Sequence, residues 1–447
     1  MSYTYSSIDL SIFSKLEIQK VDNDINQTLT NNNSTSEIAI VVPFYNHIDY
    51  LDFTIRSLID QTFTDYNVII VDDASSDWGI KKKLKKLFYD YNNYLNLTII
   101  FNNNNYGLPK CRNIAIEYTN SNWILPLDAD DILDERFLEK AFNQIHSIKD
   151  TSQYPNIIVT SNVYRFNNDK EDDKIGYINK VGTWKIPKWD SNKLTQNNLL
   201  HCSTMFKKSL WSAIGGYDTS LWFGWEDWDF WIRADHYFKN NKLIIRHDNN
   251  TINNKIMVNG LNPIIIDEYL FYYRVKKEGL HSFCKVNFKL CYSLFQTLHP
   301  YIFSIEDILI SHKYIGRNGD VLKNSLATQI KKYPNNPVNY FWLSLIKQYG
   351  NNNKNYNNNN PNKNIYEIKE LYTKSINLEK SNQINNRNNQ YDIINNSLMW
   401  QFELHRLLNE LETIHYIQAK KDLLLFFKRY NSLNLNNKIN RLYHLNI

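Results

Sequence analysis

Cysteine is scarce, four in 447 residues (Cys111, Cys202, Cys284 and Cys291). They form no Cys-x-x-Cys pair and no compact framework, which excludes a small disulfide scaffold and fits a reducing compartment. Glycine is missing where a dehydrogenase needs it. The first apolar run ends in "VVPFYNH" (41–47), so there is no Gly-x-Gly-x-x-Gly turn to receive a pyrophosphate. Nor does the N-terminal region hold the glycine-rich loop, with arginine and lysine, of a nucleotidyltransferase. Long hydrophobic runs are absent: none approaches the roughly 18 residues of a membrane helix. The opening "MSYTYSSIDLSIFSKLEIQK" has no basic-then-apolar leader, which makes a cytosolic location the expectation. Charge of one sign is in small excess, 51 Lys and Arg against 46 Asp and Glu, net +5. That suits an anionic small ligand and gives no sign of a nucleic-acid binder. The dense basic block "KKKLKK" (81–86) reads as the solvated face of a helix.

What is present is enough apolar matter for a large core, 43% hydrophobic and 14% aromatic residues, in a chain long enough for two or three domains. The first 36 residues are polar and read as a weakly ordered lead-in. Residues 37–290 carry the strand and helix patterns of an α/β domain. Residues 291–447 read as an α-helical region interrupted by an asparagine-rich linker (350–364). Within it, the segment 400–430 has the pattern of a long amphipathic helix suited to self-association or partner docking.

The α/β domain begins with "IAIVVPFYN" (38–46), a β-branched run stopped by Pro43. A helix follows over 48–61, with Leu51, Ile55, Leu58 and Ile59 at helical spacing. A second buried strand ends in Asp72 and Asp73, and a lysine-rich helix follows. A third strand spans 97–105, another helix 109–119, and a fourth strand 122–131. Alternation of this kind predicts a mostly parallel sheet with helices on both faces. Ligands in such sheets bind beyond the carboxyl ends of the strands. Pro43 and Tyr45, Asp72 and Asp73, and Asp128 and Asp130 all fall there. Further strands are expected at 156–166 and 266–275, with an aromatic-rich helix after "GWEDWDFW" and a loop at 276–283.

"WILPLDADD" (123–131) drives a buried strand into Asp128, Asp130 and Asp131. A helix-loop-helix calcium site fails, because its fifth and sixth positions would be Ile132 and Leu133 instead of an oxygen ligand and a glycine. Two readings remain: acidic residues opening a helix, or a hard-cation site in which carboxylates and phosphate oxygens share Mg2+ or Mn2+.

Four stretches in order, "IAIVVPFYNHIDYLDFTIRSLIDQTFTDYNVIIVDDASSD", "NYGLPKCRN", "WILPLDADD" and "GGYDTSLWFGWEDWDFWIR", resemble an inverting nucleotide-sugar glycosyltransferase of family 2. The resemblance covers roughly residues 38–285 and implies the GT-A fold. It implies a nucleoside diphosphate sugar donor, UDP-linked, with Mn2+ or Mg2+ as cofactor. Asp128 and Asp130 would hold the metal, with His281 as a third ligand. Pro43, Tyr45, Asp73, Arg112 and Asp128 would contact the nucleotide, with Arg112 reaching the base or diphosphate. Asp227 would be the catalytic base, and Glu226 would bind sugar hydroxyls. Among Trp222, Trp225 and Trp228 one ring would face the sugar, and at least one would be core. The loop around Trp225 resembles that of galactosyl- and N-acetylgalactosaminyltransferases. His201 and Cys202 match a segment on the acceptor side, where a satisfied core histidine is the plainer reading. The rival function is a catalytically silent GT-A domain that binds sugars or scaffolds.

Overall fold

The structure, a computed structural model, describes residues 25–30, 36–148, 154–167, 179–240, 244–246, 255–257, 260–276 and 280–349, with 368, 370–378, 381 and 401. The chain divides into two compact units, Met1–Ser282 and Phe283–Ile447.

The first unit is a ten-stranded mixed sheet with helices. Its strands are β1 (Ile25–Thr30), β2 (Ile38–Phe44), β3 (Tyr66–Asp72), β4 (Leu97–Asn102), β5 (Trp123–Pro126), β6 (Ile132–Leu133), β7 (Ile157–Phe166), β8 (Lys180–Trp184), β9 (Met205–Lys207) and β12 (Asn262–Arg274). A separate pair is made by β10 (Ile244–Arg246) and β11 (Lys255–Met257). The helices are α1 (Ile48–Ile59), α2 (Ile80–Tyr91), α3 (Leu108–Tyr118), α4 (Phe137–His146), α5 (Lys208–Ile214) and α6 (Glu226–Asn240). The sheet order is β1-β4-β3-β2-β5-β9-β7-β12-β6, with β8 added on β7.

Strands β4, β3, β2 and β5 are parallel neighbours. All seven residues of β2 are buried, as expected of a strand covered on both faces. In α1 the residues buried are Leu51, Thr54, Ile55, Ser57 and Leu58, close to the stripe read from sequence. This is the α/β layout expected, and it sets the carboxyl ends of β2, β3 and β5 side by side.

Beyond β5 the parallel run stops. Strand β9 pairs antiparallel with both β5 and β7, and β12 then runs parallel to β7. The two-residue β6 returns antiparallel to β12, with Leu133 opposite Phe271 and Ile132 opposite Tyr272. That short pairing clamps the Asp128–Asp131 turn against the carboxyl end of β12.

Two sequence expectations change. Within the polar lead-in, Ile25–Thr30 forms β1, paired antiparallel with β4; the two apolar residues of "INQTLT" were too few to signal a strand. The loop expected at 276–283 gives way to helix α7 (Leu280–Val286).

The second unit is helical, with α8 (Phe288–Leu298), α9 (Ile305–Asn318), α10 (Lys323–Lys332) and α11 (Pro337–Tyr349). Ser304 and Asp307 close a reciprocal capping box on α9. Trp342, fully buried, donates its indole N–H to Thr297 Oγ1 at 3.0 Å. The asparagine tract and, apart from Gln401, the helix expected over 400–430 lie outside the described residues. No helix among the described residues is long and apolar enough to cross a membrane.

Candidate active site

The site forms where three loops meet beyond β2, β3 and β5. Asp72, at the end of β3, accepts from the Ser75 N–H at 3.1 Å and from its hydroxyl at 2.6 Å. It braces its own loop. Asn46, in the left-handed region at φ 60°, accepts from the N–H groups of Ser76 and Asp77 at 3.0 and 3.2 Å. The loops after β2 and β3 are thereby fastened together. Pro43 is buried within β2, whereas Tyr45 is 40% exposed and lies 3.4 Å from Ser76 Oγ. Of the two, Tyr45 is the one that offers a surface.

Asp73 departs from expectation. Its carboxylate accepts from Tyr106 N–H at 2.6 Å, Gly107 N–H at 2.7 Å and Asn102 Nδ2 at 3.2 Å. Three donors from the protein engage the carboxylate expected to contact the nucleotide. It holds the entrance of α3, where Gly107 at φ 89° makes the turn and Pro109 sits in the first turn of the helix.

Arg112 on α3 departs further. Neither exposed nor aimed at an open cleft, it is fully buried. One guanidinium nitrogen donates to Glu226 Oε1 at 2.6 Å and the other to Asp128 Oδ1 at 2.7 Å. The ring of Tyr217 lies under it, 5.3 Å from the guanidinium carbon. Burial opposes the charge, but Asp128 and Glu226 overcome it and hold Arg112 protonated well above its ordinary range. Two motifs far apart in sequence are thus joined by one planar fork.

Glu226 and Asp227 open α6, with Asp229 in the same first turn. Gly224 at φ 114° and Trp225 at φ 66° reverse the chain before them, and Asp229 N–H bonds back to Trp225 C=O at 2.9 Å. Acids at a helix N-terminus are favoured by its dipole. Burial pushes Glu226 up to about 7, with Arg112 pulling it down and Asp227 and Asp128 raising it. Burial raises Asp227 as well, opposed by Arg112, by Trp228 N–H and by Asn198. Asn198 Nδ2 reaches Asp227 Oδ2 at 2.9 Å. Trp228 is core, its indole N–H bonded to Leu194 C=O at 2.6 Å. Trp225 is half-buried and meets the Trp228 ring edge-on at 5.4 Å.

The three aspartates after β5 take separate tasks. Asp128 is held by Arg112 and keeps 26% of its side chain exposed. Asp130 forms an ion pair with Lys276. Asp131 is buried and accepts the Arg274 backbone N–H at 2.8 Å, while its Oδ2 has no hydrogen-bond partner. Burial, then Asp130 and Asp128, push Asp131 well above the usual carboxylate range.

A metal would relieve that repulsion. Ligand atoms of Asp128, Asp131 and Cys202 lie within 4.8 Å of one another. The two carboxylates suit a hard cation; the Cys202 thiol does not, and burial with Asp128 and Asp131 nearby holds it protonated. The two carboxylates alone are of the kind that holds a hard cation, and the oxygens gathered differ from the expected set. Asp130 is turned to Lys276, and the side chain of His281, in α7, lies outside the described residues.

His201 is a core histidine, satisfied on one side only. Its Nε2 lies 2.8 Å from Thr160 Oγ1 and its ring stacks on Phe271, its Nδ1 has no hydrogen-bond partner, and burial holds it down to about 3. Lys276, Arg274 and Asn198 were missed in the sequence. The only trace of the first two was the cationic "RVKK" closing β12.

Residues 39–211 match the family model for Glycosyl transferase family 2. A glycosyltransferase, GlyA, of Streptococcus pneumoniae serotype 4 is 23% identical over 55% of this chain and 31% of its own. A chondroitin synthase of Escherichia coli is 28% identical over 56% of this chain and 35% of its own. The chain thus spans about a third of the length of these two curated relatives. A crystal structure of S. aureus TarS 1–349 in complex with UDP-GlcNAc superposes at TM-score 0.40 and 14% identity, covering 84% of this chain and 91% of that one.

Proposed function

We propose that this chain, whose residues 39–211 match the family model for Glycosyl transferase family 2, is a member of that family and moves a hexosyl group from a UDP-linked sugar to an acceptor hydroxyl with inversion. The observation that carries this is the Arg112 bridge, which holds Asp128 of the D-x-D sequence and Glu226, beside Asp227, on one guanidinium. On this reading the carboxylates that serve the donor and the acceptor are tied to one side chain.

Asp227 takes the proton of the acceptor hydroxyl as its oxygen attacks the anomeric carbon. The bond from that carbon to the diphosphate breaks on the opposite face, and its electron pair leaves with the diphosphate. Burial makes Asp227 a stronger base than an exposed aspartate while Arg112 and Asn198 keep it ionisable. Asp128 and Asp130 would hold Mn2+ or Mg2+, with His281 as a third ligand, and the bound ion supplies charge neutralisation at the leaving diphosphate. Tyr45, exposed at the end of β2, would stack on the base, and the half-buried Trp225 would offer its ring to the sugar. Asp73 and Arg112 act as positioning residues, one for the loop before α3 and one for the carboxylates.

The test is UDP release from a panel of UDP-sugars with Mn2+, Mg2+ or EDTA, using wild type, Asp130→Ala and Asp227→Asn. Expected is metal-dependent turnover of one donor, lost in both variants, with Asp227→Asn still binding that donor. Turnover that survives Asp227→Asn would remove the base. Donor binding without turnover in wild type, across acceptors, would favour a sugar-binding module.

A further inference from the structure

We propose that Lys276 is a resident counter-ion of Asp130, an internal cation that a divalent metal must displace before Asp130 can ligate it. The inference rests on the reading of Asp128 and Asp130 as metal ligands and adds what governs their access.

The two aspartates of the D-x-D sequence are both neutralised by the protein, but by different means. Asp128 is held by a guanidinium with no exposed surface and a second carboxylate partner. That contact is built into the core. Asp130 is held by an ammonium, and the pair keeps 28% of the lysine and 15% of the aspartate side chain exposed. A lysine presents a compact charge on a flexible four-carbon stem, so this contact can open without repacking.

The backbone that carries Lys276 is fixed. Arg274 closes β12 by donating its N–H to Asp131 Oδ1 and its Nε to Asp130 C=O, both at 2.8 Å. Its guanidinium lies over the rings of Tyr50 and Phe166, at 4.5 and 4.4 Å. Two residues on, Lys276 starts from a pinned position beside Asp130. Its ammonium also lies 5.6 Å from the centre of the Tyr50 ring that Arg274 covers, so two cations crowd this corner and the lysine is the one free to leave. A metal ion and an ammonium repel each other on one carboxylate. Metal entry therefore moves the ammonium off Asp130 while its backbone stays in place, which leaves a freed cation close to the metal and available to an anionic diphosphate. Lys276 is in this sense a positioning residue that couples metal binding to anion binding.

The experiment is Mn2+ binding without donor, followed by electron paramagnetic resonance of the free ion, on the full chain at pH 7.5. Wild type, Lys276→Met, Lys276→Arg and Asp130→Asn are compared, with thermal melts to show that each is folded. Expected is Mn2+ affinity higher by on the order of tenfold in Lys276→Met, where one partly sheltered competing ion pair is gone, and unchanged in Lys276→Arg. UDP affinity at saturating Mn2+ is expected to fall in Lys276→Met. Unchanged or weaker Mn2+ binding in Lys276→Met, with binding lost in Asp130→Asn, overturns the counter-ion while leaving the metal site standing. Mn2+ binding that survives Asp130→Asn, or no binding in any variant, overturns the ligand assignment and the counter-ion with it.

Discussion

A guanidinium with no exposed surface and two carboxylate partners, as in Arg112, has no substitute among the other side chains. Removing one partner of a buried charge pair costs about 3–5 kcal/mol, so Arg112→Met should lower the melting temperature sharply. Arg112→Lys keeps the charge without the planar fork. It should retain more stability and still lose about a hundredfold or more in kcat/KM, the scale seen when reacting groups are displaced by about an ångström. Steady-state kinetics beside thermal melts checks both. The buried acids make a second prediction. Asp131, Glu226 and Asp227 all have folded values above the ordinary ones, Glu226 at about 7. A raised carboxyl favours the folded state while protonated, and that contribution fades as pH climbs through the folded value. With EDTA present, the melting temperature should therefore fall between pH 5 and pH 8, less so in Asp131→Asn, and Mn2+ should restore more of it at pH 8. In the sequence the acids were legible because they cluster. Arg112 was singled out by resemblance, but its bridge was not legible, since its partners lie 16 and 114 residues away and nothing local marks them. Asp73 shows the converse: its position at the strand end was legible, but the backbone donors of Tyr106 and Gly107 that occupy it were not.

At the level of elements, legibility followed length. Strands β2, β3, β4, β7 and β12 and helices α1, α3 and α6 each hold enough apolar positions for a period to show. Strands β6 and β9, of two and three residues, hold no period at all, yet β6 sets Asp130 and Asp131 against β12. The loop into α6 is also fixed by contacts that sequence hides. Asn113 on α3 accepts from Tyr217 N–H at 2.8 Å and Trp211 Nε1 at 2.9 Å. Gly216 stands between them at φ +79°, where an added Cβ would lie 2.8 Å from Asn113 Oδ1 and 3.0 Å from Trp211 Nε1. Gly216→Ala should cost about 1–3 kcal/mol through strain at an unfavourable backbone position. Because the displaced partners anchor the loop before Glu226, transfer activity should fall at temperatures where the fold persists. Denaturant melts and kinetics at a low temperature separate the two effects.

Over the whole molecule, the parallel half of the sheet followed from the alternation of strand and helix, because such crossovers are nearly always right-handed and leave few topologies. The antiparallel insertion of β9 between β5 and β7 obeys no such rule and was not legible. Neither was β1, which lies along β4 with Thr28 opposite Ile100 and Leu29 opposite Ile99. That outermost strand carries a consequence for anyone cutting the gene. Strand β4 is buried along its whole length, and without β1 its free N–H and C=O groups would form an open template for other chains. A version begun at residue 36, at the first obviously apolar run, should express as aggregates, where one begun before residue 25 stays monodisperse by size-exclusion chromatography. The polar, unassuming stretch "INQTLT" is in that sense the protein's guard against sticking to itself.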